Sequence, residues 1–172
     1  MGMLSKMKQL ALGLLVFFYT GLAVPQIWSW EPFKMPQNQF DCLVTTLYHE
    51  ARGEPTEGVL AVAKVVLNRM ESPRYPKSVC GVVKQQLVKG VWQFSFWKEK
   101  KLLSKPVDQK SWKRMQKLAQ QSVDLHYAGF DIVDNSMYYY NPDVANPEWA
   151  KSKKLKFVRK IGKHKFYKRV KN

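Results

Sequence analysis

Two apolar helical stripes separated by a forced break constrain this chain more than any other feature. Over residues 41–51, Leu43, Val44, Leu47 and Tyr48 fall on one face of a 3.6-residue repeat. Over residues 55–71, Val59, Leu60, Ala63, Val66, Leu67 and Met70 recur at helical spacing and stop before Ser72-Pro73. Between the stripes, Gly53 can take the positive φ that ends a helix. Pro55 suits the first turn of the next helix, where its missing N–H would be unpaired anyway. Glu50 stands three residues past Leu47 and six past Val44, on or beside the buried edge of the first helix. A solvated carboxyl titrates at roughly 4. Desolvation against Leu47 and Tyr48 would raise that value and keep the proton near neutrality, as a general acid requires.

The segments around this core divide the chain into three parts. Residues 10–24 are apolar and uncharged and follow Lys6 and Lys8; with the small residues of Gly21-Leu22-Ala23, residues 1–24 read as a signal peptide or signal anchor. Residues 25–40 hold three prolines and no periodicity and read as a linker that packs a few aromatics on the domain surface or at the membrane interface. Residues 41–172 are left as one domain. Within it we expect a short helix over 78–86 and a strand over 92–97 that sets Gln93 and Ser95 on one face. A long amphipathic helix over 108–128 contains His126 as a packing residue, and Gly129 ends it. In the β-rich run 136–140, Tyr138 and Tyr140 share one face and Met137 and Tyr139 the other. A terminal hairpin over 155–169 turns at Ile161-Gly162-Lys163. Glu54 and Glu57 stand at a helix N-terminus, where capping is the expected role. Asn68 and Arg69 are expected to bond the neighbouring loop.

The formal net charge is +16, and from Lys151 onward there are eleven lysines and arginines and no acid. Such a surface implies an anionic partner: nucleic acid, a membrane surface or an acidic envelope polymer. The apolar N-terminal segment favours the envelope over a specific nucleic acid, because the domain would then lie outside the cytoplasm. Two cysteines, Cys42 and Cys80, allow one disulfide or two free buried thiols and fit no zinc spacing. His49, His126 and His164 form no ligand motif, which argues against a metal-dependent amidase and leaves no cofactor expected. A monomer is the expected state.

A series of motifs then follows in order. They are Glu50-Ala51-Arg52-Gly53-Glu54, Gly58, Ala61-Val62-Ala63, Val66-Leu67-Asn68-Arg69, Pro76 with Val79-Cys80-Gly81-Val82-Val83, and Gln93-Phe94-Ser95. Tyr138, Asn141-Pro142, Pro147-Glu148-Trp149-Ala150, Ile161-Gly162, His164 and Phe166-Tyr167 complete it. Together, from Asp41 to Tyr167, they resemble the SleB/CwlJ-type cell wall hydrolase family. The resemblance implies an α+β, lysozyme-like domain, a helical core with a small sheet or hairpin. It implies cleavage of peptidoglycan glycan strands between N-acetylmuramic acid and N-acetylglucosamine, in several members as lytic transglycosylases, with Glu50 as the catalytic acid. Gln93, Ser95, Tyr138, Asn141 and His164 become candidate substrate contacts. The chain departs from the family pattern at Trp92, where a further cysteine is common, at Asn135-Ser136 in place of Gly-Ala, at Tyr140 in place of His, and at Lys163 in place of Asn.

Two other readings compete. A muramidase that uses water needs a second carboxylate, for which Asp131, Asp134 and Asp143 are the loop candidates. A non-catalytic basic envelope-binding protein would need only the lysines. A transglycosylase can dispense with the second carboxylate, because the muramic 6-hydroxyl attacks and the same glutamate returns as base.

Overall fold

The computed structural model describes residues 31–98 and 108–170. The expected signal or anchor over 1–24 lies outside them; among the described residues no helix is long and apolar enough to cross a membrane.

Four helices build the core: α1 (Gln37–Ala51), α2 (Thr56–Glu71), α3 (Val79–Val83) and α4 (Gln109–Tyr127). The two stripes pack as their periodicity requires. Leu43, Leu47, Val59, Val62, Val66 and Leu67 are fully buried, and Met115 and Ala119 of α4 join them. Asp108 starts α4 by accepting the backbone N–H groups of Lys110 (2.9 Å) and Ser111 (3.1 Å). Gly129 follows the helix at a φ of +82°. His126 is buried on α4, with Nε2 2.7 Å from Glu71 and Nδ1 2.9 Å from Lys64, so its role is packing. A disulfide joins Cys42 of α1 to Cys80 of α3, with Cα atoms 5.3 Å apart.

Two small antiparallel sheets complete the domain. β1 (Gln86–Val88) pairs with β2 (Val91–Trp92). β3 (Tyr138–Tyr140), β4 (Leu155–Ile161) and β5 (His164–Arg169) form a sheet of order β3-β5-β4. The expected hairpin is β4–β5, and its turn is Gly162-Lys163. In that sheet Tyr139 lies opposite Phe166, which is fully buried against the helices.

The structure corrects the expectations in four places. Residues 37–40 are the first turn of α1 and not linker. Ahead of them the expected packing of a linker aromatic on the domain surface is seen: Phe33 stacks on Tyr127 at 3.7 Å and donates its N–H to Asp124. The helix expected over 78–86 is the single short α3, capped by Ser78, with Gln86 already in β1. The strand expected over 92–97 ends at Trp92, and a 3-10 helix (Ser95–Lys98) follows. Core packing overrides the local alternation there. Phe94 and Phe96 are both buried, and the Trp97 N–H bonds back to the Phe94 carbonyl. Finally, Glu54 does not cap α2, whose start has no side-chain cap. Its carboxylate is buried and accepts the Lys163 N–H of the hairpin turn at 2.9 Å.

Candidate active site

Glu50 sits in the last turn of α1, between Leu47 and Tyr48 on one side and Ala51 on the other, all three buried. Burial of its neighbours fixes the rotation of the helix, and that leaves the Glu50 carboxyl half-buried at the floor of a cleft of about 410 Å³. Burial raises its pKa above the ordinary carboxylate value. A hydrogen bond from Tyr139 and the charge of Arg69 partly oppose the rise. The Tyr139 hydroxyl donates to Glu50 Oε2 across 3.3 Å. The Tyr139 phenol is itself pushed well above its usual value by burial and by the neighbouring carboxylate, so it remains a donor.

α2 supplies the support. Arg69 Nε donates to the Met137 carbonyl at 2.8 Å and Asn68 Nδ2 to the Ser136 carbonyl at 3.2 Å. These are the loop bonds expected of both residues, and they seat the strand that carries Tyr139. The Arg69 guanidinium also lies over the rings of Tyr75 and Phe94. His49 stacks on Phe96 with ring centroids 4.5 Å apart and forms part of the cleft wall.

Glu50, Gln93, Asn141 and His164 line this one cleft together. Ser95 and Tyr138 are not among its lining residues. Ser95 is exposed at the start of the 3-10 helix. The Tyr138 ring packs on Trp149, as the Tyr140 ring does, and its hydroxyl accepts from Arg169 Nε at 3.0 Å. Tyr139, Arg69, His49 and Tyr140 line the cleft and were not singled out as site residues. For Tyr139 a signal existed, since strand alternation already set it on the face opposite Tyr138.

The three candidates for a second carboxylate are placed elsewhere. Asp131 accepts the N–H groups of Val133 and Asn135 and shapes its own loop. Asp134 pairs with Lys168. Asp143 is exposed, and its N–H donates to Asn141 Oδ1 at 2.9 Å. Among the described residues, Glu50 is the single carboxylate that lines the cleft. Nor do three His, Cys, Asp or Glu side chains gather anywhere among them as a metal ion would need.

The far wall depends on Glu54. Gly162 turns the hairpin at a φ of +56°, and a Cβ there would stand 2.1 Å from Glu54 Oε2. His164 Nδ1 lies 3.9 Å from the same oxygen, too far for a hydrogen bond. Burial lowers the His164 pKa, the Glu54 charge partly offsets this and Lys163 adds to it, so the ring is neutral at neutral pH. Its edge meets the Tyr139 ring at 5.1 Å. Arg114 Nη2 donates to the Glu54 carbonyl, which ties the turn between α1 and α2 to α4.

The model of the cell wall hydrolase family matches residues 53–167, a segment that opens three residues after Glu50. The chain is 32% identical over 135 residues to the spore cortex-lytic enzyme of Bacillus subtilis, covering 78% of this chain and 39% of that protein. It is 33% identical over 132 residues to the spore cortex-lytic enzyme of Oceanobacillus iheyensis, covering 77% and 42%. It thus spans about two-fifths of the length of these curated relatives. Among solved structures, it is similar to the catalytic domain of the germination-specific lytic transglycosylase SleB from Bacillus anthracis. The TM-score is 0.60 at 31% identity, over 80% of this chain and all of that one. The catalytic domain of the Bacillus cereus SleB protein gives 0.59 at 29% identity, over 80% and 94%.

Proposed function

This chain belongs to the cell wall hydrolase family, and from that premise we propose that it cleaves peptidoglycan glycan strands between N-acetylmuramic acid and N-acetylglucosamine as a lytic transglycosylase of lysozyme-like architecture. One observation carries the reading: a single carboxyl, Glu50, half-buried on the cleft floor with its pKa raised by desolvation and no second carboxylate beside it among the described residues. Among the described residues, a hydrolase of the two-carboxylate kind has no partner for Glu50 in this cleft.

The chemistry then runs through one group. Protonated Glu50 delivers its proton to the glycosidic oxygen as the bond to the muramic C1 breaks. The Glu50 carboxylate, held by the Tyr139 hydroxyl and the Arg69 charge, faces the oxocarbenium-like centre. The muramic 6-hydroxyl adds to C1 and returns its proton to Glu50. The sugar leaves as a 1,6-anhydro product, and no water is consumed. Gln93, Asn141 and Tyr140 are placed to contact the sugars, the amides through hydrogen bonds and the ring by stacking.

The remaining expectations join this proposal. The Cys42–Cys80 bridge supports an oxidising location, as residues 1–24 would provide by serving as a signal or anchor. The exposed Lys153, Lys154, Lys160 and Lys163 support docking of a monomer on anionic envelope polymers or lipid. The test is mass spectrometry of soluble fragments after the chain is incubated with purified peptidoglycan. Anhydro-muramic ends, one water lighter than the hydrolysis product, are expected. Reducing ends would overturn transglycosylation in favour of a muramidase. No release from any wall type would leave the basic envelope-binding protein as the better reading.

A further inference from the structure

A second cleft, larger than the one holding Glu50, opens beside the other end of the same sheet. It measures about 690 Å³, and its walls carry Arg74 from the turn after α2, Lys156 from β4, and Lys168 and Arg169 from β5. One carboxylate, Asp134, faces these four cations, and it is bonded to Lys168. Arg74 and Lys156 make no ion pair among the described residues. The cleft therefore has a net positive charge that the fold does not neutralise. Part of its lining is apolar, and Met137 belongs to it. One rim is the loop of Asp134 and Asn135, both at positive φ (46° and 56°), a conformation that costs non-glycine residues free energy and is held here by the Asp131 carboxylate.

We infer that this cleft binds the acidic peptide stem of the glycan strand whose bond Glu50 breaks; the inference rests on the function proposed above. Its position is the first reason. The Met137 carbonyl accepts from Arg69, and Arg69 lines the Glu50 cleft, so the two clefts share a wall. Met137 is two residues from Tyr139, about 7 Å of extended chain. The stem leaves the glycan from the muramic residue, the very sugar that reacts at Glu50. A peptide rooted at that sugar has to pass over one side of the cleft, and this side offers a groove. The second reason is chemistry. The stem is a short peptide with several carboxylates and alanine methyl groups, and the groove offers cations over apolar surface. A phosphate polymer would match the cations alone and leave the apolar part of the lining without a partner.

The test uses the full chain and the double variant Arg74→Glu/Lys156→Glu, two exposed positions outside the catalytic cleft. On stem-bearing strands the variant is expected to raise KM about tenfold with kcat unchanged, as reversed rim charges weaken association. On the same strands stripped of stems by an amidase, parent and variant should not differ. Equal losses on both substrates, or no loss on either, would overturn the inference. The neutral pair Arg74→Gln/Lys156→Gln should give a smaller loss of the same selectivity. Independently of any cleavage, calorimetric titration with the synthetic tetrapeptide L-alanyl-γ-D-glutamyl-diaminopimelyl-D-alanine should give saturable binding to the parent and binding about tenfold weaker to the Arg74→Glu/Lys156→Glu variant. A chain that binds the peptide but cuts no glycan would count against the proposed function alone. A chain that ignores the peptide, or prefers inorganic polyphosphate to it, would sink the stem site alone.

Discussion

The two halves that meet at the cleft are held together by different physics. In the helical half, α1, α2 and α4 bury Leu43, Leu47, Val59, Val66, Leu67 and Met115 completely, each contributing on the order of 1.5–3 kcal/mol. The hairpin half buries Ile161, Phe166 and Tyr167, while most of β4 is exposed and basic. What fastens it is a few directed bonds: Lys163 N–H to Glu54, Arg69 to the Met137 carbonyl, and Asn68 to the Ser136 carbonyl. The acid stands on the half fixed by packing; its partner Tyr139, and His164 of the cleft wall, stand on the half fixed by points. Catalysis and stability should therefore be separable by substitution.

The largest expected effect is Glu50→Gln, which should lower kcat by about a thousandfold while leaving the circular dichroism spectrum unchanged. The same change should sharpen the contrast through stability. A raised carboxyl pKa means that the fold is most stable while Glu50 is protonated and loses stability as pH rises through the folded-state value. The variant should thus melt above the parent at about pH 8 and with it at about pH 3. Retained glycan cleavage would remove Glu50 from the mechanism. Next, reducing Cys42–Cys80, which are 38 residues apart, should cost about 4 kcal/mol in urea unfolding, and the helical half should bear the loss. Third, Gly162→Ala should cost roughly 2 kcal/mol, because the new methyl meets Glu54 at a positive φ. Hydrogen exchange should accelerate in β4 and β5 and stay slow in α2; uniform acceleration would mean the two halves unfold as one. The smallest effect is Tyr139→Phe, a loss of about fivefold in kcat. Removing a donor that lowers the Glu50 pKa should also move the alkaline limb of the pH profile upward; an unmoved limb would show that this 3.3 Å contact does not govern the acid.

The same division decides what could be read from sequence. α1, α2 and α4 are periodic over many residues, so their existence and buried faces were legible, and with them the half-buried position of Glu50. The hairpin was legible from its turn. The face of β3 was not, because Tyr138, Tyr139 and Tyr140 put an aromatic on either side and the choice is made by pairing with β5. Gln93 lines the cleft although the strand expected to carry it ends one residue earlier. Ser95 lies past that strand's end, in the 3-10 helix, outside the cleft's lining. Glu54 was invisible for a different reason: its local context at a helix start suggests a cap, whereas its partner lies 109 residues away. Local rules do not reach such a contact.

The sheet order has a consequence in time. β3 is hydrogen-bonded to β5 and not to β4, so the strand bearing Tyr139 has no strand partner until β5 is present. A ribosome delivers Glu50 89 residues before Tyr139, and β5 after both. The nascent chain carries its acid early and gains the wall that governs that acid only when β5 is added. If the chain cuts glycan as proposed, a product broken off before β5 should lack that activity.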